Sequence, residues 1–242
     1  VLTAPLLFGC KKIIGAENMS KFANLDVEFM VEAMPLLLKA TKMTLFLAIV
    51  SLVLAFILGL ILASIRYFHV KVLSQIARFY VSFFRGTPLI VQLFLIYFGV
   101  FTMSPVLTKL PGTVAAIVTL SLNSAAYMSE TIRAAFDSVD RGQIEAAQSL
   151  CMTRLQYMRR IVLPQSMRVA LPSLFNSLID LIKGTSIAFT IGVSEMMAMG
   201  IYEGSRQFNY FEIYFDIAII YYVMSVVLGF LQKKMEKKMS KY

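Results

Sequence analysis

From Met43 to Ile65 the chain runs MTLFLAIVSLVLAFILGLILASI, without one charged residue. About 20 apolar residues in a helix match the hydrocarbon thickness of a bilayer, so this run is expected to cross a membrane with some tilt. Wherever such a chain meets lipid, its backbone polar groups must be satisfied within the element, which favours helices throughout. Composition agrees. Of 242 residues, 58% are hydrophobic and 15% charged, against about 45–50% and 25% in soluble domains. Several spans and their loops leave too little length for a folded nucleotide-binding or catalytic domain. An energy source for transport would therefore sit on another chain.

Further spans follow from the pattern of apolar runs. A second is assembled from Pro88 to Met103, complete only if Phe79 to Phe84 belongs to the same rod. Ser104-Pro105 and Pro111-Gly112 bracket a turn. A third runs from about Gly112 to Ala135 and is rich in the small residues that let membrane helices approach closely. After a polar interval from Arg133 to Arg168 come a fourth span, about Pro172 to Met199, and a fifth, Phe211 to Leu231, followed by the basic tail KKMEKKMSKY. The expected fold is all-α and polytopic, with about five transmembrane helices.

Lys and Arg positions set the orientation. The net charge of +9 would suggest nucleic acid in a soluble protein. Here most of the 23 basic residues cluster after the first span, in the polar interval and in the tail. The positive-inside rule then places the N-terminus outside, and the polar interval and C-terminus in the cytoplasm. No nucleic-acid partner is expected, and the tail is read as an anchor to anionic headgroups. Cys10 and Cys151 lack metal-site spacing, and His69 is the single histidine, so no metal site and no histidine-based catalysis is expected. The fifteen methionines are read as adaptable packing residues.

Residues 1–35 form an N-terminal segment and 36–242 the transmembrane domain, with a cytoplasmic loop over 137–171. Leu7-Phe8-Gly9-Cys10 superficially matches a lipoprotein cleavage box without a preceding basic region. The favoured reading is that Met19 is the working start and residues 1–18 an upstream extension.

Within the polar interval, Asp140 and Gln143 have capping-box spacing, as do Thr153 and Gln156. They predict two short helices joined at Cys151-Met152, the second from Arg154 to Leu163, interrupted or restarted by Pro164. Helices this short are marginal alone and need support from the spans or a partner. Ala146 and Ala147 are expected to offer a smooth strip to a partner groove.

The stretch from Glu145-Ala146-Ala147 through Leu150 and Cys151 to Ile161-Val162-Leu163-Pro164 resembles the EAA motif of permease subunits in bacterial ATP-binding-cassette importers. Every spacing is kept, with Cys151 where that family has glycine. Arg85-Gly86-Thr87-Pro88-Leu89 with Gln92, Ala126-Tyr127 with Glu130 and Arg133, Lys183-Gly184-Thr185-Ser186, and Glu195 extend the resemblance to polar amino-acid importers, with a cystine-type subgroup looking nearest. Ala134-Ala135 stands where such chains often have Gly-Gly. The resemblance spans roughly residues 36–232. It implies a bacterial cell-membrane permease that pairs with a second copy or paralogue, and a coupling role for Glu145, Ala146, Ala147, Leu150, Cys151 and Pro164 against a separate ATPase that binds ATP and Mg. An extracytoplasmic solute-binding protein would deliver the amino acid. A self-sufficient channel or secondary transporter is the alternative class, but no inverted internal repeat is found.

Polar residues within the spans are candidates for the pathway. Asn123, Tyr127 and Glu130 fall at i, i+4 and i+7, as do Asn176, Asp180 and Lys183. Charges at membrane depth are costly unless paired or hydrated. These two faces, with Thr185, Ser186 and Glu195, are expected either to line the route of a zwitterion or to lock the helices together. Glu130 leans towards a structural role, and Arg85 to Pro88 towards shaping the start of the second span.

Overall fold

A computed structural model describes residues 25–239. The readings on residues 1–24, including the cleavage box and the start at Met19, lie outside them. Asp26 opens the first helix, its carboxylate accepting from the Phe29 amide at 2.9 Å, and α1 then runs unbroken from Val27 to Tyr67. It crosses the proposed boundary at residue 36, so the apolar run Met43 to Ile65 is the inner part of a longer rod. One stripe of α1 is made of small buried residues, Ala48, Ser51, Ala55, Gly59 and Ala63. That stripe lets a second backbone come close. A Cβ at Gly59 would stand 3.1 Å from Met128 Cβ and 3.3 Å from the Ala125 carbonyl.

The helix so approached is α4, Gly112–Asp137, at the centre of the molecule. It matches the third expected span in extent. Helices α1 (Val27–Tyr67), the run Arg154–Ile191 and Tyr210–Lys237 are long and apolar enough to cross a membrane by composition, and a bent pair makes up to four. Helix α4 is not among them. Its neighbours are other helices rather than lipid, so small and polar residues replace the large apolar ones a lipid-facing rod needs.

The expected second span is not one rod. Helix α2, Lys71–Gly86, and α3, Leu89–Phe94, which continues through a π turn and a 3₁₀ turn to Met103, meet at a bend of 112°. A residue before proline is driven out of the helical region, and Thr87 sits at φ −119°, ψ 146°. Helix α2 is amphipathic. Lys71, Gln75, Arg78, Ser82 and Arg85 share one stripe, while Val72, Leu73, Ile76 and Phe79 expose an apolar face.

Helix α5, Arg141–Ser149, turns into α6, Arg154–Tyr157. The second elbow helix is expected to end at Leu163, with Pro164 interrupting or restarting it. Instead α6 passes through a π turn, Met158–Val162, directly into α7, Leu163–Gly184. Pro164 lies in the first turn of α7 and does not stop the helix, which runs on to Gly184. Beyond Gly184 a 3₁₀ stretch, Thr185–Ile191, ends at Gly192 with φ +80°. The expected fourth span to Met199 therefore stops at Ile191. Helix α8, Met196–Gln207, is a separate piece that packs on α1 and on α9, Tyr210–Met239.

Candidate functional site

The elbow is held by its own turn chemistry. The Asp140 side chain makes no capping bond; Gln143 N–H donates to the Asp140 backbone carbonyl at 3.2 Å, and the Gln143 side chain accepts from Gln165 at 2.6 Å. The expected first capping box is thus absent, and a tie from α5 to α7 replaces it. The second box is formed. Thr153 N–H donates to Gln156 Oε1 at 2.8 Å, and Gln156 N–H donates to Thr153 Oγ1 at 3.4 Å.

Between the two helices Cys151 N–H donates to the Gln148 carbonyl at 2.9 Å and Met152 N–H to the Ala147 carbonyl at 3.1 Å. This pair of bonds closes a Schellman turn. Its C′ residue is Cys151, at φ +55°, the left-handed region that glycine occupies without strain.

Ala146 and Ala147 do not form a joint strip. Successive helical positions are about 100° apart, so Ala147 is buried in the core cluster that also holds Tyr157, Met158 and Val162, while Glu145 and Ala146 remain exposed. Leu150 is 77% exposed. Pro164 and Cys151 are exposed as well. An apolar side chain, an exposed alanine and an acid thus project from a helix whose other side is anchored in the core.

The expected pathway residues divide into three groups. Asn123, Tyr127 and Asp180 come together around a cavity of about 200 Å³, with Ser124, Ser177 and Gly184 among its other lining residues. Asn176 is exposed on the same helix. Lys183 pairs with Asp180 at 3.9 Å, and their side chains are 58% and 77% exposed. Ser186 donates to the Lys183 carbonyl at 2.8 Å. Ser124 and Ser177 were missed by the sequence reading. Serine is common wherever membrane helices pack, and Ser177 gives a signal only through its i, i+3 relation to Asp180.

Thr185 and Glu195, by contrast, are fully buried. Thr185 donates to the Ile182 carbonyl at 2.7 Å. Glu195 caps α8, accepting from Ala198 N–H at 2.9 Å and from Thr44 Oγ1 at 3.3 Å, while Met196 N–H donates to Thr44 Oγ1 at 3.2 Å. Glu195 and Thr44 thereby join α8 to α1. The cavity around Asn123 and Asp180 does not include Thr185 or Glu195.

Glu130 forms the third group. Its Oε1 lies 2.6 Å from Arg66 Nη1 and 3.7 Å from Arg85 Nη1, and its Oε2 3.3 Å from Arg133 Nε. Arg85 also sits 5.5 Å from the Tyr127 ring centroid. The bend between α2 and α3 is fixed nearby. Gln92 donates to the carbonyls of Phe84 at 2.9 Å and Thr87 at 3.0 Å, and Asn123 donates to Gln92 Oε1 at 2.9 Å. The polar residues around Pro88 thus satisfy carbonyls freed by the break. Gln92 is 2% exposed, and it is a structural residue of the site.

Comparison with known proteins places this architecture. The chain is 48% identical over 217 residues to the probable amino-acid permease protein YxeN of Bacillus subtilis, covering 90% of this chain and 97% of that protein. It is also 48% identical over 216 residues to the probable amino-acid ABC transporter permease protein PatM of Vibrio harveyi, covering 89% and 97%. The L-cystine transport system permease protein TcyL of B. subtilis is 36% identical over 220 residues, covering 89% and 92%. A crystal structure of an amino acid ABC transporter with histidines superposes with a TM-score of 0.81 at 35% identity, covering 89% of this chain and 99% of that one. Inward-facing MetNI methionine transporter chains share the fold, with a TM-score of 0.72 at 20% identity and coverage of 86% and 98%. This multi-pass membrane chain belongs to the family of binding-protein-dependent transport system inner membrane components, whose pattern matches residues 55–241.

Proposed function

We propose that this chain is the membrane-spanning permease subunit of an ATP-driven importer of polar amino acids, docked through its elbow on a separate ATPase. The observation that carries the reading is mechanical continuity. The exposed patch of Glu145, Ala146 and Leu150 leads through a closed turn into the rod from Arg154 to Gly184, which bears Asp180. Twenty-odd helical residues at 1.5 Å each carry a displacement about 40 Å into the membrane. A push on α5 therefore tilts the face that carries Asp180 and Lys183. Rigid-body rocking of this kind is how an importer alternates its access.

The polar face of α7 supports a second copy or a paralogue opposite it. Asn176, Asp180 and Lys183 are exposed on a helix apolar enough to cross a membrane, and charges there require water or partners. Two such faces enclose a hydrated route. In it the Asp180 carboxylate receives the substrate ammonium, Lys183 its carboxylate, and Asn123 and Tyr127 orient it. In this reading α4 is the fifth crossing, the elbow and C-terminus are cytoplasmic, ATP and Mg bind to the ATPase, and a solute-binding protein delivers substrate from outside. Cystine, arginine and glutamine are the substrates to test side by side, because the cystine permease TcyL, the arginine permease ArtQ and a putative glutamine permease GlnP are about equally similar, at 36%, 37% and 37% identity.

The discriminating experiment contrasts neighbouring alanines. Ala146→Asp places a charge on the exposed patch and is expected to release the ATPase while the permease stays folded. Ala147→Asp buries a charge in the core and is expected to abolish folded protein. Retention of a coupled ATPase by the Ala146→Asp complex would overturn the docking assignment.

A further inference from the structure

At the elbow end of the molecule lies a second cavity, of about 610 Å³, between the end of α1, the polar stripe of α2 and the end of α4. Its lining includes Arg66, Arg78, Arg133, Arg141 and His69, with Asp137 the single carboxylate among the lining residues. The charges are not evenly matched. Arg66 is bound to Glu130, and Arg133 to both Glu130 and Asp137. Arg78 reaches a backbone carbonyl, that of Ser74 at 3.3 Å, and neither Arg78 nor Arg141 has a carboxylate partner among the described residues.

Two cations are thus left facing a hollow, which a mobile anion can neutralise. The first turn of α2 begins between His69 and Ser74, both in the lining, and its N-cap residue Val70 contributes no side-chain cap. Backbone N–H groups at such an end add positive potential. The opposite side of α2 exposes Val72, Leu73, Ile76 and Phe79. A helix with that division lies in the plane of a membrane surface, its apolar side among acyl chains. The cavity on its polar side then opens at the depth of the phosphates.

We propose that this cavity is a phosphate-binding site at the cytoplasmic membrane surface, in which Arg78 and Arg141 hold a phosphate anion, that of an anionic phospholipid headgroup or a soluble phosphate. The site rests on the proposed function only for its placement at the cytoplasmic surface. It lies apart from the Asn123 and Asp180 cavity, with which it shares no lining residue. A bound phosphate would tie α2 to the base of the elbow, because Arg141 is the first residue of α5, and would link membrane composition to coupling.

The test uses the whole permease–ATPase complex in nanodiscs and phenylglyoxal modification of arginines, read by mass spectrometry. Three conditions are compared: phosphatidylcholine alone, phosphatidylcholine with phosphatidylglycerol, and phosphatidylcholine with inorganic phosphate. Protection of Arg78 and Arg141 only with phosphatidylglycerol assigns the lipid, whereas protection by inorganic phosphate assigns a soluble anion. No protection in either condition, or equal slowing at the exposed Arg159 and Arg160, overturns the site.

A second arm is the Arg78→Gln/Arg141→Gln complex. It is expected to lose about tenfold or more of its retained phosphatidylglycerol or of its phosphate affinity. The same charge removed at the exposed Arg159 and Arg160 should leave retention unchanged. Failure of the wild-type ATPase to co-purify would count against the docking reading, and the protection pattern of the permease alone would still decide the cavity.

Discussion

Two polar repeats in this chain have the same spacing and opposite fates. Asn123, Tyr127 and Glu130 on α4, and Asn176, Asp180 and Lys183 on α7, each occupy one helical face at i, i+4 and i+7. On α4 the acid ends among three arginines, with Arg66 only 14% exposed. On α7 the acid stands 77% exposed beside a lysine that is itself mostly exposed. Spacing assigns residues to a face, while the neighbouring helices decide whether that face is spent on cohesion or left open for a ligand. Around Glu130 the neighbours are α1 and α2, both carrying arginine. Around Asp180 they supply hydroxyls, an amide and a ring, groups that can contact a solute without neutralising the acid.

The largest effect is expected at Glu130. Glu130→Gln removes the charge shared by three guanidinium groups and leaves Arg66 nearly buried without its counter-ion, at a cost of about 2–4 kcal/mol. The measurement is the yield and thermal midpoint of detergent-solubilised protein. Wild-type stability in this variant would break the comparison at its structural end.

Asp180→Asn should do the reverse. A pair this exposed contributes about 0–1 kcal/mol, so the thermal midpoint should hardly move. Uptake by the reconstituted importer should fall about tenfold or more, because a charge-assisted bond to the substrate ammonium contributes about 1.5–3 kcal/mol. Unfolding without a specific loss of uptake would assign Asp180 to the scaffold.

Lys183→Met sharpens the same contrast. With the complex assembled, a raised KM at unchanged assembly is the expected outcome, and normal uptake would rule out a pathway role. The smallest effect belongs to the elbow. Cys151→Gly relieves a left-handed residue and should stabilise the protein by about 1 kcal/mol, with coupling retained. A loss of stability would show that the Cys151 side chain contributes packing that outweighs the strain.

Several features were legible in residue order because their causes are local. The apolar run of α1, the Thr153 and Gln156 capping box and the non-glycine residue at the elbow joint all depend on chain neighbours, and all are present. The single-rod second span failed because Pro88 acts on Thr87 more strongly than apolar continuity acts on the rod. The reciprocal half of the Asp140 box is absent because Gln165, 22 residues away, takes the Gln143 side chain, and the Asp140 side chain makes no cap of its own. The smooth strip at Ala146 and Ala147 failed for want of a direction. Composition makes both residues small, and only packing tells which faces the core.

Residue order by itself determined that this chain is helical, membrane-spanning and furnished with a capped elbow, since hydropathy, proline and capping act over a few residues. Tertiary structure decided the partners of Glu130, the burial of Thr185 and Glu195, and the openness of Asp180. Those outcomes depend on desolvation and pairing between helices distant in sequence, as in the 64-residue separation of Arg66 and Glu130 and the 151-residue separation of Thr44 and Glu195.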